Sequence, residues 1–271
     1  MATNFVNLEK ISNNFMELAS EQRLDIITRL AEQKLNLSKL SELLNATKPE
    51  VHRNINRLLR AELIEKNTDG GYGLTTSGSA FLTQFSSFYF IIENKKYFAS
   101  HTLRNLEQKF IQRLGALNGG RQINGFVRVL EKWKKIHENA QEYVCNILSE
   151  VPYSGDIIDV ITSKLGNNVQ IRSIFTENAI IPEERAKIFH EKGFQKYVQN
   201  GTLERRIKKS IGALVLITEK ESAVFFSNMN GIPDLTTMFT STDPDFHDWC
   251  YDYFEWCWKN STNFQESKLN S

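Results

Sequence analysis

The residues best suited to chemistry lie between Thr47 and Lys66. Val51, Ile55, Leu58 and Leu59 recur at the spacing of one helical face. At 100° per residue this turns Arg53, Asn56, Arg57 and Arg60 to the opposite face. Arginine can hold a guanine edge through two parallel donors, asparagine can pair with adenine, and Lys or Arg can neutralise a phosphate. On this reading Thr47, Lys48, His52, Arg53, Asn56, Arg57, Arg60 and the downstream Lys66 are the candidate DNA-contacting residues. An outward row of arginines is more commonly just a solvated helix face, so the surrounding elements must decide between the two.

Those elements form an ordered set. Leu24, Ile27, Leu30 and Ala31 make one helical stripe within Leu18 to Ala31, and Leu37, Leu40, Leu43 and Leu44 make a second. Thr47-Lys48-Pro49-Glu50 reads as a helix start, with Thr47 as N-cap, Glu50 reaching back in a capping box and Pro49 in the first turn. The third helix should run to about Ala61. Two short strands then flank Asp69-Gly70-Gly71, predicting a hairpin. Three helices followed by a hairpin are the winged helix-turn-helix arrangement, whose third helix enters a major groove.

Five segments carry a resemblance in the same order. They are Ala19-Ser20-Glu21-Gln22-Arg23-Leu24, Leu40-Ser41-Glu42-Leu43-Leu44, Val51-His52-Arg53-Asn54-Ile55-Asn56-Arg57-Leu58, Leu63-Ile64 and Leu74-Thr75-Thr76-Ser77-Gly78. Together residues 15–80 resemble an ArsR-like winged helix-turn-helix. Metal sensors of that superfamily carry a thiolate pair in the recognition region, and this region has no Cys. Cysteine-based metal sensing is therefore not expected.

Composition bounds the rest. With 271 residues, 41% hydrophobic and 24% charged, the chain is globular and long enough for one large or two medium domains. The strongest apolar runs, near Phe88 to Ile92 and Ala213 to Ile217, are far short of the roughly eighteen residues a membrane span needs. The first residues lack a basic region followed by an apolar one, so a cytoplasmic location without membrane association is expected. Cys145, Cys250 and Cys257 provide neither a disulfide framework nor a C-x-x-C pair.

Charge is uneven along the chain. From Ile91 to Lys135 there are ten Lys or Arg against three acids. From Ser79 to Leu117 the chain is apolar and nearly free of Gly and Pro, predicting long helical segments suited to homodimerisation or to packing on the chain's own C-terminal half. Gly115 to Gly125 reads as a break or mobile connection. Beyond it the pattern alternates. Tyr143 to Leu148, Val169 to Phe175, Leu203 to Ile207, Ala213 to Thr218 and Ser222 to Phe226 read as strands, and Ile157 to Lys164 and Glu183 to Val198 as helices. A last helix, about Asp243 to Asn260, places Phe246, Trp249, Cys250, Tyr253, Phe254 and Cys257 on one stripe. Asp245, Asp248, Asp252 and Glu255 fall on the other side, as a solvated face and not a metal site.

A second resemblance rests on Trp133, the strand ending at Leu148, Val169-Gln170-Ile171-Arg172, Ala213 to Ile217, Ala223 to Phe226 and Asp243 to Trp258. These look like the archaeal methanogenesis-regulator (FilR-type) family. The resemblance implies a transcription regulator with a catalytically inert, phospholipase D-like C-terminal α/β domain related in shape to the sensing domain of TrmB-type regulators. The expected layout is an α+β winged helix-turn-helix over residues 1–92, a helical linker and dimerisation segment over 93–135, and an α/β effector domain over 136–271. Arg172, Glu177, Arg205 and Arg206 at strand ends are the candidate effector-binding residues, with surface ion pairing as their plain alternative.

The phospholipase D-like signature H-x-K-x-x-x-x-D is met only by His190-Glu191-Lys192, with Tyr197 where the aspartate belongs. No G-x-S-x-G, H-E-x-x-H or P-loop occurs, and His52, His101, His137 and His247 have no sequence-local partner. No catalytic residue, metal or cofactor is expected. The expected partners are double-stranded DNA, a second copy of the chain and a small-molecule effector. Two other readings stay open, a protein-interaction module using the winged helix and basic segment, and a cryptic phosphodiesterase.

Overall fold

A computed structural model describes residues 8–150, 155–180 and 184–264. The chain divides into two compact units, Met1–Phe85 and Ser86–Ser271.

The first unit begins with α1 (Leu8–Leu18), α2 (Glu21–Glu32), α3 (Leu37–Leu43) and α4 (Lys48–Arg60). Strands β1 (Ile64–Lys66) and β2 (Tyr72–Leu74) come next, and α5 (Thr76–Glu93) begins here and ends in the second unit. Val51, Ile55 and Leu58 of α4 lie at i, i+4 and i+7, so one stripe of the helix is sealed against Ile26, Ile27, Leu30 and Leu40. Antiparallel pairing of Ile64 with Leu74 and Lys66 with Tyr72 forms the hairpin. Leu35 adds a short bridge to Tyr72, tying the hairpin back to the segment before α3. At Gly78 the start of α5 touches the Leu63 carbonyl so closely that a Cβ would stand 2.0 Å from its oxygen.

The second unit is built on one mixed sheet in the order β11-β7-β6-β5-β8-β9-β10-β4, with β3 beside β9. In chain order, α6 (Lys95–Phe98), β3 (His101–Thr102), α7 (Gln108–Ile111), a 3-10 turn at Leu114–Leu117 and β4 (Arg121–Asn124) come first. They are followed by α8 (Phe126–Asn139), β5 (Tyr143–Glu150), α9 (Gly155–Gly166) and β6 (Gln170–Ile180). Next are α10 (Glu184–Glu191), α11 (Phe194–Gln199), β7 (Leu203–Lys208), β8 (Ala213–Thr218) and β9 (Ser222–Asn228). The order closes with β10 (Thr237–Ser241), α12 (Pro244–Lys259) and β11 (Thr262–Asn263).

Strands β5, β6 and β7 are parallel and adjacent in chain order. Crossovers of one hand therefore lay α9, α10 and α11 on the same face of the sheet. The other face is covered by α12, whose Phe246, Trp249, Cys250, Tyr253, Phe254 and Cys257 are all fully buried, as their spacing predicted. Asp245, Asp248 and Asp252 stay exposed and Glu255 is half-buried. Burial pushes the Cys145 and Cys257 thiols up to about 12 and raises that of Cys250 as well. All three are therefore neutral core groups.

Four expectations change. Residues 93–135 do not form a helical linker: Tyr97, Phe110, Leu114, Leu117, Val129 and Trp133 are buried in the core of the second unit. Helix α5 is long, but the next elements are short, because α6, α7 and the 3-10 turn each serve only to insert apolar residues into that core. The stretch from Gly115 to Gly125 is not a free connection either. Its strand β4 pairs with β10, and a Cβ at Gly120 would come within 2.7 Å of the Phe246 ring. The helix expected from Glu183 to Val198 is broken at Gly193, whose φ of 64° lies in the left-handed region; Glu183 itself lies outside the described residues. No described helix is long and apolar enough to cross a membrane.

Candidate functional site

With one stripe of α4 sealed into the core, its opposite face is presented outward. Lys48, His52, Arg53, Arg57 and Arg60 are exposed and Asn56 is half-buried. Thr47 occupies the N-cap position with extended backbone, and Pro49 sits in the first turn as expected. The capping box does not form. The Thr47 side chain makes no cap hydrogen bond, and Glu50 instead accepts from Gln22 Nε2 of α2 at 3.2 Å, fixing α4 to α2. The Asn56 amide lies 3.3 Å from His52 Nδ1, and Arg60 Nε donates to the Asn56 carbonyl at 3.3 Å. Arg53 has neither contact and projects from the middle of the row. Lys66, on β1 of the hairpin, is exposed.

Arg57 is placed differently from the expectation of a free donor. It grips the Glu17 carboxylate of α1 with two bonds, Nε to Oε2 at 2.7 Å and Nη2 to Oε1 at 3.0 Å. That bond holds the Glu17 carboxyl below its ordinary range. The buried Arg23 of α2 donates to the carbonyls of Glu17 and Met16 and, at 3.3 Å, to Asn54 Oδ1. A bond from Asn54 Nδ2 to Gln22 Oε1 completes the tie. One guanidinium of the outer row thus serves to position α1. Helix α1 and Arg23 were missed by sequence reading, although Leu8, Ile11, Phe15 and Leu18 carry a helical period that could have revealed the helix.

The four candidate effector residues are not brought together. Alternation along the strands sends Arg172 and Arg206 to the α12 face and Arg205 to the other. Arg172 pairs with Glu255 at 2.5 Å and lies 4.3 Å from the Trp258 ring centre. Arg206 lies 4.5 Å from the same ring centre and donates to the Trp258 carbonyl at 2.9 Å. Glu177 is exposed on β6. Arg205 alone lines a cavity, its guanidinium 4.6 Å from the Phe189 ring centre and 4.4 Å from that of Phe264. So Arg172 and Arg206 both anchor α12.

His190 is exposed on α10, Lys192 pairs with Asp159 at 2.7 Å, and Tyr197 lies on α11. Among the described residues, no group of three or more His, Cys, Asp or Glu is arranged to hold a metal.

A family model described as the HVO_A0261 N-terminal domain matches residues 15–96. No curated protein matches the chain. Among solved structures, TrmBL2, an archaeal chromatin protein, is similar over 88% of this chain and 91% of its own, with 12% identity and a TM-score of 0.43. NucT from Helicobacter pylori is similar over 54% of this chain and 98% of its own, at 12% identity and a TM-score of 0.41. The phospholipase D family member Nuc from Salmonella typhimurium is similar over the same shares, at 11% identity and a TM-score of 0.39.

Proposed function

We propose that this chain is a homodimeric, sequence-specific DNA-binding transcription regulator of the archaeal ArsR-like, FilR-type kind, with a non-enzymatic effector domain in its second unit. The observation that carries the reading is the outward face of α4. His52, Arg53, Asn56 and Arg60 stand along a helix whose other stripe is locked into a three-helix core, and a hairpin bearing Lys66 comes after it. A helix of 13 residues is about 20 Å long and enters a major groove about 12 Å wide. Arg53 and Asn56 are then the base readers, and Lys48, Arg60 and Lys66 the phosphate contacts. Arg57 orients α1 through Glu17.

Two exposed apolar stripes support the homodimer: Leu8, Ile11 and Phe15 on α1, and Tyr89 with Ile92 on α5. Exposed stripes of large apolar residues are a mark of association surfaces, and a DNA-binding dimer needs a two-fold axis to address two half-sites.

Fluorescence anisotropy with the DNA upstream of the chain's own coding region, against a scrambled duplex and across a salt series, tests the proposal. A preference of about a thousandfold or more is expected of a specific regulator. Equal affinity for both duplexes would make it a non-specific binder. No binding to either would put the protein-interaction reading first. Sedimentation of the wild type against Ile92→Lys tests the dimer, which should dissociate in the variant.

A further inference from the structure

The sheet face under α8 to α11 carries a partly open cavity of about 100 Å³ in the second unit. Its floor is set by strand register. Asn146 of β5 pairs with Ser173 of β6, and Ser173 with Arg205 of β7, so three polar side chains form one row across three parallel strands. The rows on either side are apolar, Ile171 with Leu203 and Leu148 with Phe175, and the isoleucines of α9 close the top. A polar row there is costly unless something meets it. Asn146 is only 4% exposed, and its Oδ1 has no hydrogen-bond partner.

The chemistry of the lining restricts the occupant. His137 donates from Nδ1 to the Trp133 carbonyl at 3.0 Å, which makes Nε2 of the neutral ring an acceptor. Burial lowers its pKa to about 4, so the ring is neutral. The Arg205 guanidinium at the end of the row lies against the Phe189 and Phe264 rings, so the groups left to meet an occupant are the two acceptors and the Ser173 hydroxyl, which call for a molecule that donates. The volume approaches that of an engineered apolar cavity of roughly 150 Å³ that stays dry and takes benzene. A single six-membered ring is the size of group that such a volume suits.

We propose that this cavity is a binding site for a small, uncharged, ring-sized molecule carrying one hydroxyl, seated with that hydroxyl between Asn146 and Ser173. The hydroxyl donates to Asn146 Oδ1 and accepts from Ser173, while the ring packs between Trp133 and the α9 isoleucines. This deepens the effector reading above, but the site stands on the cavity alone.

Titration calorimetry on the full chain with phenol, benzene and benzoate tests it. Saturable binding is expected, with phenol at least about tenfold tighter than benzene and benzoate weakest. Asn146→Leu keeps the volume and removes the unmet oxygen. It should fold, retain benzene and lose the preference for phenol. Ile161→Phe should fill the space and abolish both, with tryptophan fluorescence confirming that each variant is folded. Absence of saturable phenol and benzene binding in the wild type overturns the proposal, as does a phenol preference that survives Asn146→Leu. Tightest binding by benzoate, lost in Arg205→Gln, overturns the uncharged class. Phenol bound with no change in DNA anisotropy would support the site and refute the effector reading separately.

Discussion

Replacing His137 with leucine should remove a pH dependence from the second unit. His137 is fully buried on α8, stacked on Trp133 with ring centres 5.8 Å apart, and its pKa falls from 6.5 to about 4, chiefly through desolvation. Below pH 6.5 the unfolded chain therefore binds a proton that the folded chain refuses. The stability contributed by keeping this ring neutral is complete above the unfolded value and is lost as pH falls toward the folded one. At about 1.4 kcal/mol per unit, wild type loses about 2 kcal/mol through this group between pH 7 and pH 5. Urea unfolding followed by tryptophan fluorescence measures it, because all four tryptophans (Trp133, Trp249, Trp256, Trp258) lie in the second unit. Carboxylates titrate alike in both proteins, so their difference isolates His137. The gap in unfolding free energy between wild type and His137→Leu should shift by about 2 kcal/mol in favour of the variant on going from pH 7 to pH 5. A gap constant to within about 0.5 kcal/mol, beyond the extrapolation error, would show that the ring is not held neutral by burial and would refute the reasoning.

Four further outcomes are expected. Arg53→Ala should cost about 1 to 3 kcal/mol of discrimination between cognate and mismatched duplexes, read by competition anisotropy; an equal loss on every sequence would make Arg53 a phosphate contact. Lys66→Ala should lower the salt slope of binding by roughly 0.9, and an unchanged slope would remove the hairpin from the interface. Glu17→Gln releases Arg57 and removes a negative charge beside the outer row, so affinity for DNA should rise and the slope steepen by roughly 0.9 if Arg57 reaches a phosphate; an unaltered slope would keep Arg57 on its structural role. Gly78→Ala sets a Cβ 2.0 Å from the Leu63 oxygen and should destabilise the first unit by about 1 to 3 kcal/mol, seen as faster amide exchange in α4. Wild-type exchange rates would show that this contact yields freely.

Some of this was written in local pattern. Val51, Ile55 and Leu58 recur with the helical period, and burial of one stripe leaves only one direction for His52, Arg53 and Asn56, so the outer face of α4 follows from spacing alone. The stripe of α12 is equally explicit, because Phe246 to Cys257 are large and regularly placed. Strand β8 was visible as an apolar run and β5 as one interrupted only by Asn146, the mark of strands covered on both faces.

Other features have no local signal. Strand β4 reads Arg-Gln-Ile-Asn and becomes a strand only because β10 offers it a paired edge. The capping box was consistent with local sequence, yet Glu50 found Gln22 across the helix packing and bonded there. Arg57 looked like its neighbours in the outer row until α1 brought Glu17 to it. Arg172, Arg205 and Arg206 looked equivalent at one sheet end, but strand alternation sends Arg205 to one face and the other two beneath α12. The row Asn146, Ser173 and Arg205 is the clearest case. Those residues are far apart in the chain, and they meet because the parallel register aligns them. Amino-acid spacing thus determined which faces are apolar, since burial of such a stripe is a local demand. Tertiary structure decided which polar groups face one another, since register and crossover handedness depend on the whole sheet.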